Sequence, residues 1–307
     1  MSISRSQRNK TIDIPLCEGK EYLERTVKVS AQQYDMTYVT DKTVCGSCLD
    51  VCKLLPHKSV DLIIADPPYN LTKSFNKLTF TKKCANEYEK YTRSWLDAVK
   101  PLLKDNGSIY VCCDWESSLI IGRVLGEYFN VRNRITWQRE KGRGARANWK
   151  NGCEDIWFAT NGSTYTFNLD AVKLRRRVIA PYKENGEPKD WHTDTSGNWR
   201  DTCPSNFWDD ITVPFWSMPE NTAHPTQKPE KLIAKLILAS SNKGDIVLDP
   251  FAGSGTTSVC AKKLGRHYVG IELDPQYCVW AEYRLDLAEK DTRIQGYENG
   301  IFKERNS

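Results

Sequence analysis

Apolar residues along this chain come in short blocks, and polar or helically spaced segments separate them. Val60–Ala65 (VDLIIA) and the runs at 108–113, 246–248 and 268–271 are too short for helices. They are rich in isoleucine and valine and are bounded by Gly, Pro, Asn or Asp, which predicts buried strands. Helical spacing appears at 48–55, where Leu49, Cys52 and Leu55 share a face. It recurs at 91–103 with Trp95, Leu96, Val99, Leu102 and Leu103, at Glu230–Ser240, and at 256–264 before a stop at Gly265. A further helix and strand are expected between Cys113 and Trp137. Residues 71–90 are polar and lysine-rich and read as a mobile loop. Strands alternating with helices predict an α/β fold, a doubly wound and mostly parallel sheet.

Two stretches break this rhythm. Residues 1–35 show no periodicity and read as a loosely attached arm. Residues 138–223 are rich in Gly, Asn, Trp and Arg, with a regular pattern only at 155–159, and read as an insertion in the fold.

Composition adds less than distribution. The formal charge of the 307 residues is +5, but residues 131–177 hold eleven Lys and Arg against four Asp and Glu. That local excess suits a polyanion. No apolar run approaches the ~20 residues a membrane helix needs, and the first residues lack a signal-like apolar core, so a cytoplasmic protein is expected. The 11 cysteines are odd in number and sit in apolar runs, which favours reduced thiols. Cys45, Cys48 and Cys52 lack a second ligand pair at finger-like spacing, so no metal is expected.

Two loops carry candidate chemistry. Residues 245–257 read DIVLDPFAGSGTT, a strand running into a glycine turn and a helix. Gly253 and Gly255 allow close backbone approach, and the helix start offers free N–H groups to an anion. No lysine follows for a nucleotide phosphate loop, and Ser258 stands where a dinucleotide fingerprint wants glycine. S-adenosylmethionine remains, with Glu272 at the next strand end placed to accept from ribose hydroxyls. Lys228, in the HPTQKP loop at 224–229, is expected to pair with the cofactor carboxylate. The second loop, Asp66-Pro67-Pro68-Tyr69, ends strand VDLIIA. Ligands bind at the carboxyl ends of parallel strands. An exocyclic amine is a poor nucleophile, and two fixed acceptors, the Asp66 carboxylate and the Pro67 carbonyl, would favour its attack. Tyr69 can stack on a base flipped out of a duplex. Carbon-5 methylation of cytosine would need a Pro-Cys nucleophile, which is absent.

Together these motifs resemble the β group of site-specific DNA amino methyltransferases, in which DPPY precedes FAGSG with the recognition region between them. The resemblance covers about residues 44–285 and implies a class I S-adenosylmethionine-dependent methyltransferase fold with permuted motif order. The divisions it implies are an N-terminal arm (1–35), a catalytic half (36–160), a target-recognition region (161–223), a cofactor-binding half (224–290) and a tail (291–307). Asp66, Pro67, Pro68 and Tyr69 would act on the amine. Ser47, Cys48, Asp66, His224, Thr226, Lys228, Asp249, Phe251, Ala252, Gly253, Ser254, Gly255, Thr256, Glu272 and Leu273 would surround the cofactor. Ser47 stands where the family often has the aspartate that touches the cofactor adenine.

Arg139, Lys141, Arg143, Arg146, Lys150, Arg175, Arg176 and Arg177 would contact double-stranded DNA. Aspartate at position 66 leans to adenine N6 over cytosine N4; RNA or protein-glutamine methylation and a catalytically dead regulator are the more distant readings. A paired restriction endonuclease, a homodimer and a nucleoid-associated location are further implications.

Overall fold

The apolar runs pair into one nine-stranded sheet. The computed structural model describes residues 8–30, 32–76, 78–139, 147–178, 182–195 and 197–304. In chain order the strands are β1 (Val27–Lys28), β2 (Lys42–Cys45), β3 (Val60–Ala65), β4 (Leu103–Cys113), β5 (Asn130–Gln138), β6 (Cys153–Thr160), β7 (Phe207–Trp208), β8 (Ile246–Asp249) and β9 (His267–Glu272). Their spatial order is β1-β2-β9-β8-β3-β4-β6-β5-β7. Every neighbouring pair is parallel except the two that β6 makes.

Side-chain alternation explains why these runs are apolar throughout. Leu62 and Ile64 of β3 join one buried cluster while Ile63 and Ala65 join the other; Tyr110 and Cys112 oppose Ile109, Val111 and Cys113 in β4. Both faces are covered, as a parallel sheet requires. Helices α1 (Cys48–Val51), α2 (Ala85–Val99) and α3 (Trp115–Tyr128) pack on one face; α4 (Glu230–Ser240), α5 (Thr256–Lys263) and α6 (Pro275–Lys290) contribute to the other. Between β3 and β8 the strand order reverses direction. Val247 registers with Leu62 and Leu248 with Ile63, so the loops after the two strands leave the sheet side by side.

Four segments depart from the sequence expectations. Within 71–90, Lys73–Phe75 and Leu78–Phe80 form a hairpin, and α2 starts at Ala85. That polar stretch is the exposed outer part of real elements, with Tyr88 as its buried anchor. The arm is docked: Ile12 bridges Thr222, and the Ile14 carbonyl accepts from Gln276 and Trp280. The tail strand Ile301–Lys303 pairs with Leu174–Arg177 in a separate five-stranded sheet, so residues 161–223 share their sheet with the chain's end. Helix α6, which no apolar stripe announces, is buried on several sides at once and holds Glu282 and Arg284 inside. Asp274 caps it and Pro275 opens it.

Candidate active site

Asp66 and the glycine loop line one cavity of about 510 Å³. The structure brings Ser47, Cys48, Asp66, Pro67, Pro68, Tyr69, His224, Thr226, Lys228, Asp249, Phe251, Ala252, Gly253, Ser254, Thr256, Glu272 and Leu273 to its wall. Gly255 is the exception among the expected cofactor residues; it sits behind the wall as the left-handed cap of α5, φ +77.

The glycine loop is held from two sides. Gly253 (φ +53) lies so close to the His224 ring that a Cβ there would stand 3.1 Å from Nε2. Its N–H donates to Glu272 Oε2 at 2.7 Å, while Asp274 N donates to Oε1 at 2.8 Å. Burial nevertheless pushes the Glu272 carboxyl up to about 7, and burial does the same to Asp249, which accepts from Thr257 Oγ1 at 2.5 Å and Phe251 N at 3.0 Å. From below, Arg284 donates to Ser254 O (2.8 Å) and Thr256 Oγ1 (2.9 Å) and pairs with Glu230 (3.0 Å). Burial, with Lys228 nearby, drives His224 down to about 3, so its ring is neutral. It packs edge-on against Tyr277, centroids 4.4 Å apart.

The tetrapeptide is equally braced. Tyr88 Oη donates to the Pro68 carbonyl at 3.1 Å, and Asn70 N donates to Ser117 Oγ at 3.0 Å. Tyr69 Oη lies 2.9 Å from Asp66 Oδ1 and 3.1 Å from Glu154 Oε2. Lys228, expected beside the cofactor carboxylate, is instead ion-paired with Asp66 Oδ2 at 2.6 Å and lies 3.4 Å from Glu154. Burial opposes its charge, but the two carboxylates outweigh burial and hold its pKa above the usual lysine value. Position 228 stands just before α4, and its ammonium reaches across to the tetrapeptide.

The basic residues expected on DNA divide. Arg139 points inward to Glu154 and lines the cavity. Arg175 pairs with Asp201 and Arg176 with Asp209, both in or beside the five-stranded sheet. Arg177 and Lys150 are exposed. Lys141, Arg143 and Arg146 lie outside the described residues. Sequence reasoning missed Glu154 and the hairpin residues Lys73 and Phe75, which line the cavity, and Arg284, which braces the glycine loop from behind. Two adjacent acids opening an apolar run, Glu154-Asp155, were the available signal for the first. Among the described residues no three His, Cys, Asp or Glu side chains gather as a metal site, and no helix is long and apolar enough to cross a membrane.

The cavity fits S-adenosylmethionine by its donor set. Phe251, edge-on to Trp95 at 5.6 Å, offers a face for adenine. Glu272 carries acceptor oxygens that would suit ribose hydroxyls, and Gly253 lies so close to His224 that a Cβ there would crowd the ring. A doubly wound sheet carrying that site at its switch point, with Asp-Pro-Pro-Tyr across the cleft, defines a class I S-adenosylmethionine-dependent methyltransferase.

Residues 60–282 match the DNA methylase family of N6 and N4 amino methyltransferases, and the chain belongs to that family. It is 37% identical over 254 residues to the DNA adenine methyltransferase YhdJ of Escherichia coli K12, covering 79% of this chain and 82% of that one. It is 35% identical over 250 residues to the type II methyltransferase M.HpaI of Haemophilus parainfluenzae, covering 80% and 74%. Among solved structures, the PvuII cytosine-N4-specific DNA methyltransferase superposes with TM-score 0.60 at 17% identity, covering 92% of this chain and 98% of that one. The M1.HpyAVI complex with S-adenosylmethionine does so with TM-score 0.51 at 23%, covering 79% and 98%. At such identities these two likenesses speak for the fold alone.

Proposed function

We propose that this methyltransferase acts on N6 of adenine at a specific sequence in duplex DNA, with the target base turned out of the helix. The observation that carries the reading is the shared cavity: the Asp66-Pro67 acceptors and the Gly253–Glu272 cradle face one space. The naming of YhdJ as an adenine enzyme and the aspartate at position 66 both favour adenine over cytosine.

When bound, S-adenosylmethionine supplies an activated methyl group on a sulfonium. The protein's part is positioning. Asp66 and the Pro67 carbonyl accept the two amine hydrogens and draw the nitrogen lone pair out of conjugation. Prolines 67 and 68 hold that backbone still, and the Tyr88 hydroxyl on the Pro68 carbonyl adds to the bracing. Burial pushes the Tyr69 phenol far above its usual pKa, so its hydroxyl stays a donor while its ring offers a stacking face. Glu272 holds ribose, and His224 and Thr226 border the methionine end. The type II naming of M.HpaI supports a paired endonuclease as a further proposal. A homodimer, proposed on resemblance alone, is checked by light scattering.

Labelled S-adenosylmethionine incubated with duplex DNA, followed by nucleoside chromatography, tests the substrate. The label is expected in N6-methyladenine. Label in N4-methylcytosine, or in RNA alone, would contradict the proposal.

A further inference from the structure

Asp66 does not face the cavity with free oxygens. Its Oδ2 is taken by Lys228 at 2.6 Å and its Oδ1 by the Tyr69 hydroxyl at 2.9 Å. Both partners have a second acceptor within reach, and it is the same one. Glu154 Oε2 lies 3.1 Å from the Tyr69 hydroxyl and 3.4 Å from Lys228 Nζ. Lys228 also donates to Tyr69 Oη at 3.0 Å, so the hydroxyl's single proton serves either carboxylate. Glu154 is 5% exposed, and Arg139 holds its other oxygen. Two carboxylates and two cations thus pair around the tetrapeptide, with Lys73 close enough to feel all four. Lys228 and Tyr69 form a pair of donors with two alternative seats.

That arrangement matters because an acceptor already neutralised by an ammonium polarises an amine poorly. A target amine would have to compete with Lys228 for Asp66, unless the ammonium has somewhere to go. We propose that Glu154 is a positioning residue for the methyl transfer: it receives Lys228 and the Tyr69 hydroxyl as the target amine reaches Asp66. No proton changes owner in this handover. Lys228 stays an ammonium, Tyr69 a phenol, and only hydrogen-bond partners change. The charge of Glu154 is what makes the second seat comparable to the first, and Arg139 keeps that charge in place.

The inference rests on the proposed amine methylation, and a double-mutant cycle separates the two. Methyl transfer by the wild type reports on the proposed function; the effect of Glu154→Gln in two backgrounds reports on Glu154. Single-turnover rates are measured at saturating S-adenosylmethionine and DNA for the wild type, Glu154→Gln, Lys228→Met and the double variant. Cofactor affinity is measured in parallel as the check of folding. Glu154→Gln is expected to slow transfer roughly ten- to a hundredfold in the wild-type background, the scale of a small misplacement of the reacting groups. In the Lys228→Met background, where only the Tyr69 hydroxyl is left to receive, the loss is expected to be clearly smaller than in the wild-type background. Cofactor affinity should be unchanged. Should Glu154→Gln fail to bind cofactor, Glu154→Asp, which keeps the charge and withdraws it by one methylene, enters the same cycle with the same expectation. An equal loss in both backgrounds, or no loss in either, overturns the proposal.

Discussion

Glu272 has a double duty that its protonation state divides. Burial raises its carboxyl to about 7 against the pull of the Asp274 and Gly253 amides. A raised acid holds its proton in the folded chain where the unfolded chain has lost it. Its contribution to stability is therefore present below the ordinary glutamate value of about 4.3 and is lost as pH rises through about 7. Ribose hydroxyls, as donors, prefer the ionised form. Cofactor affinity is accordingly expected to rise from pH 6 to pH 8, and Glu272→Gln is expected to weaken binding and reduce that slope. Calorimetric titration at several pH values checks this; identical slopes for wild type and variant would remove Glu272 from the ribose role. Position 272 was readable in the sequence as a carboxylate at a strand end near a glycine turn. The state of that carboxylate was not, because it depends on the burial that the folded chain imposes on it.

Elements were legible where burial leaves a continuous or evenly spaced apolar run. Helix α4 and strands β3, β4, β8 and β9 emerge close to their expected places because their apolar runs are continuous or evenly spaced. Helix α6 was not legible: its residues contact α5, the arm and the sheet at once, so no stripe forms. It also packs closely against the glycine loop. A Cβ on Gly255 would stand 2.6 Å from Ala281 Cβ, at a backbone φ of +77. Gly255→Ala is expected to lower stability by about 2–4 kcal/mol through overpacking and strain, read by denaturant unfolding; a loss under ~1 kcal/mol would show that α6 yields.

Helix α4 carries a second element-scale constraint. Lys235, 1% exposed, donates to both Asp210 oxygens at 2.8 and 2.7 Å, and Lys231 pairs with the same carboxylate at 2.9 Å. Asp210→Asn leaves two buried ammonium groups short of a counter-charge. Unfolding measurements are expected to show a loss of about 3–5 kcal/mol, the range for breaking a buried pair from one side. A neutral outcome would mean that the helix lets water reach Lys235.

At the scale of the whole molecule, the sequence separated the two motif loops by nearly the length of the fold, and the sheet's reversal point brings them together. Contiguous motifs could be read because each holds its chemistry within a few residues. The partners that complete the site come singly from far away: Glu154 from β6, Arg284 from α6, Arg139 from the end of β5. A lone charge in a strand or helix reads as solvated surface, so long-range pairing is invisible before folding. The same limit reassigns Arg139, expected on DNA, to the catalytic cleft.

The exposed Arg177 remains a proposed phosphate contact. DNA affinity is expected to fall with salt, and Arg177→Ala is expected to flatten the log-log slope by about 0.9. An unchanged slope would place Arg177 off the DNA path.

The central claim is that Asp66 acts on an amine presented across the cleft from the glycine loop. Single-turnover methylation of duplex DNA by Asp66→Ala, alongside its affinity for S-adenosylmethionine, tests it most directly. A fall in rate of at least roughly a hundredfold, with cofactor affinity retained, is the predicted result. Wild-type rate in that variant would contradict it.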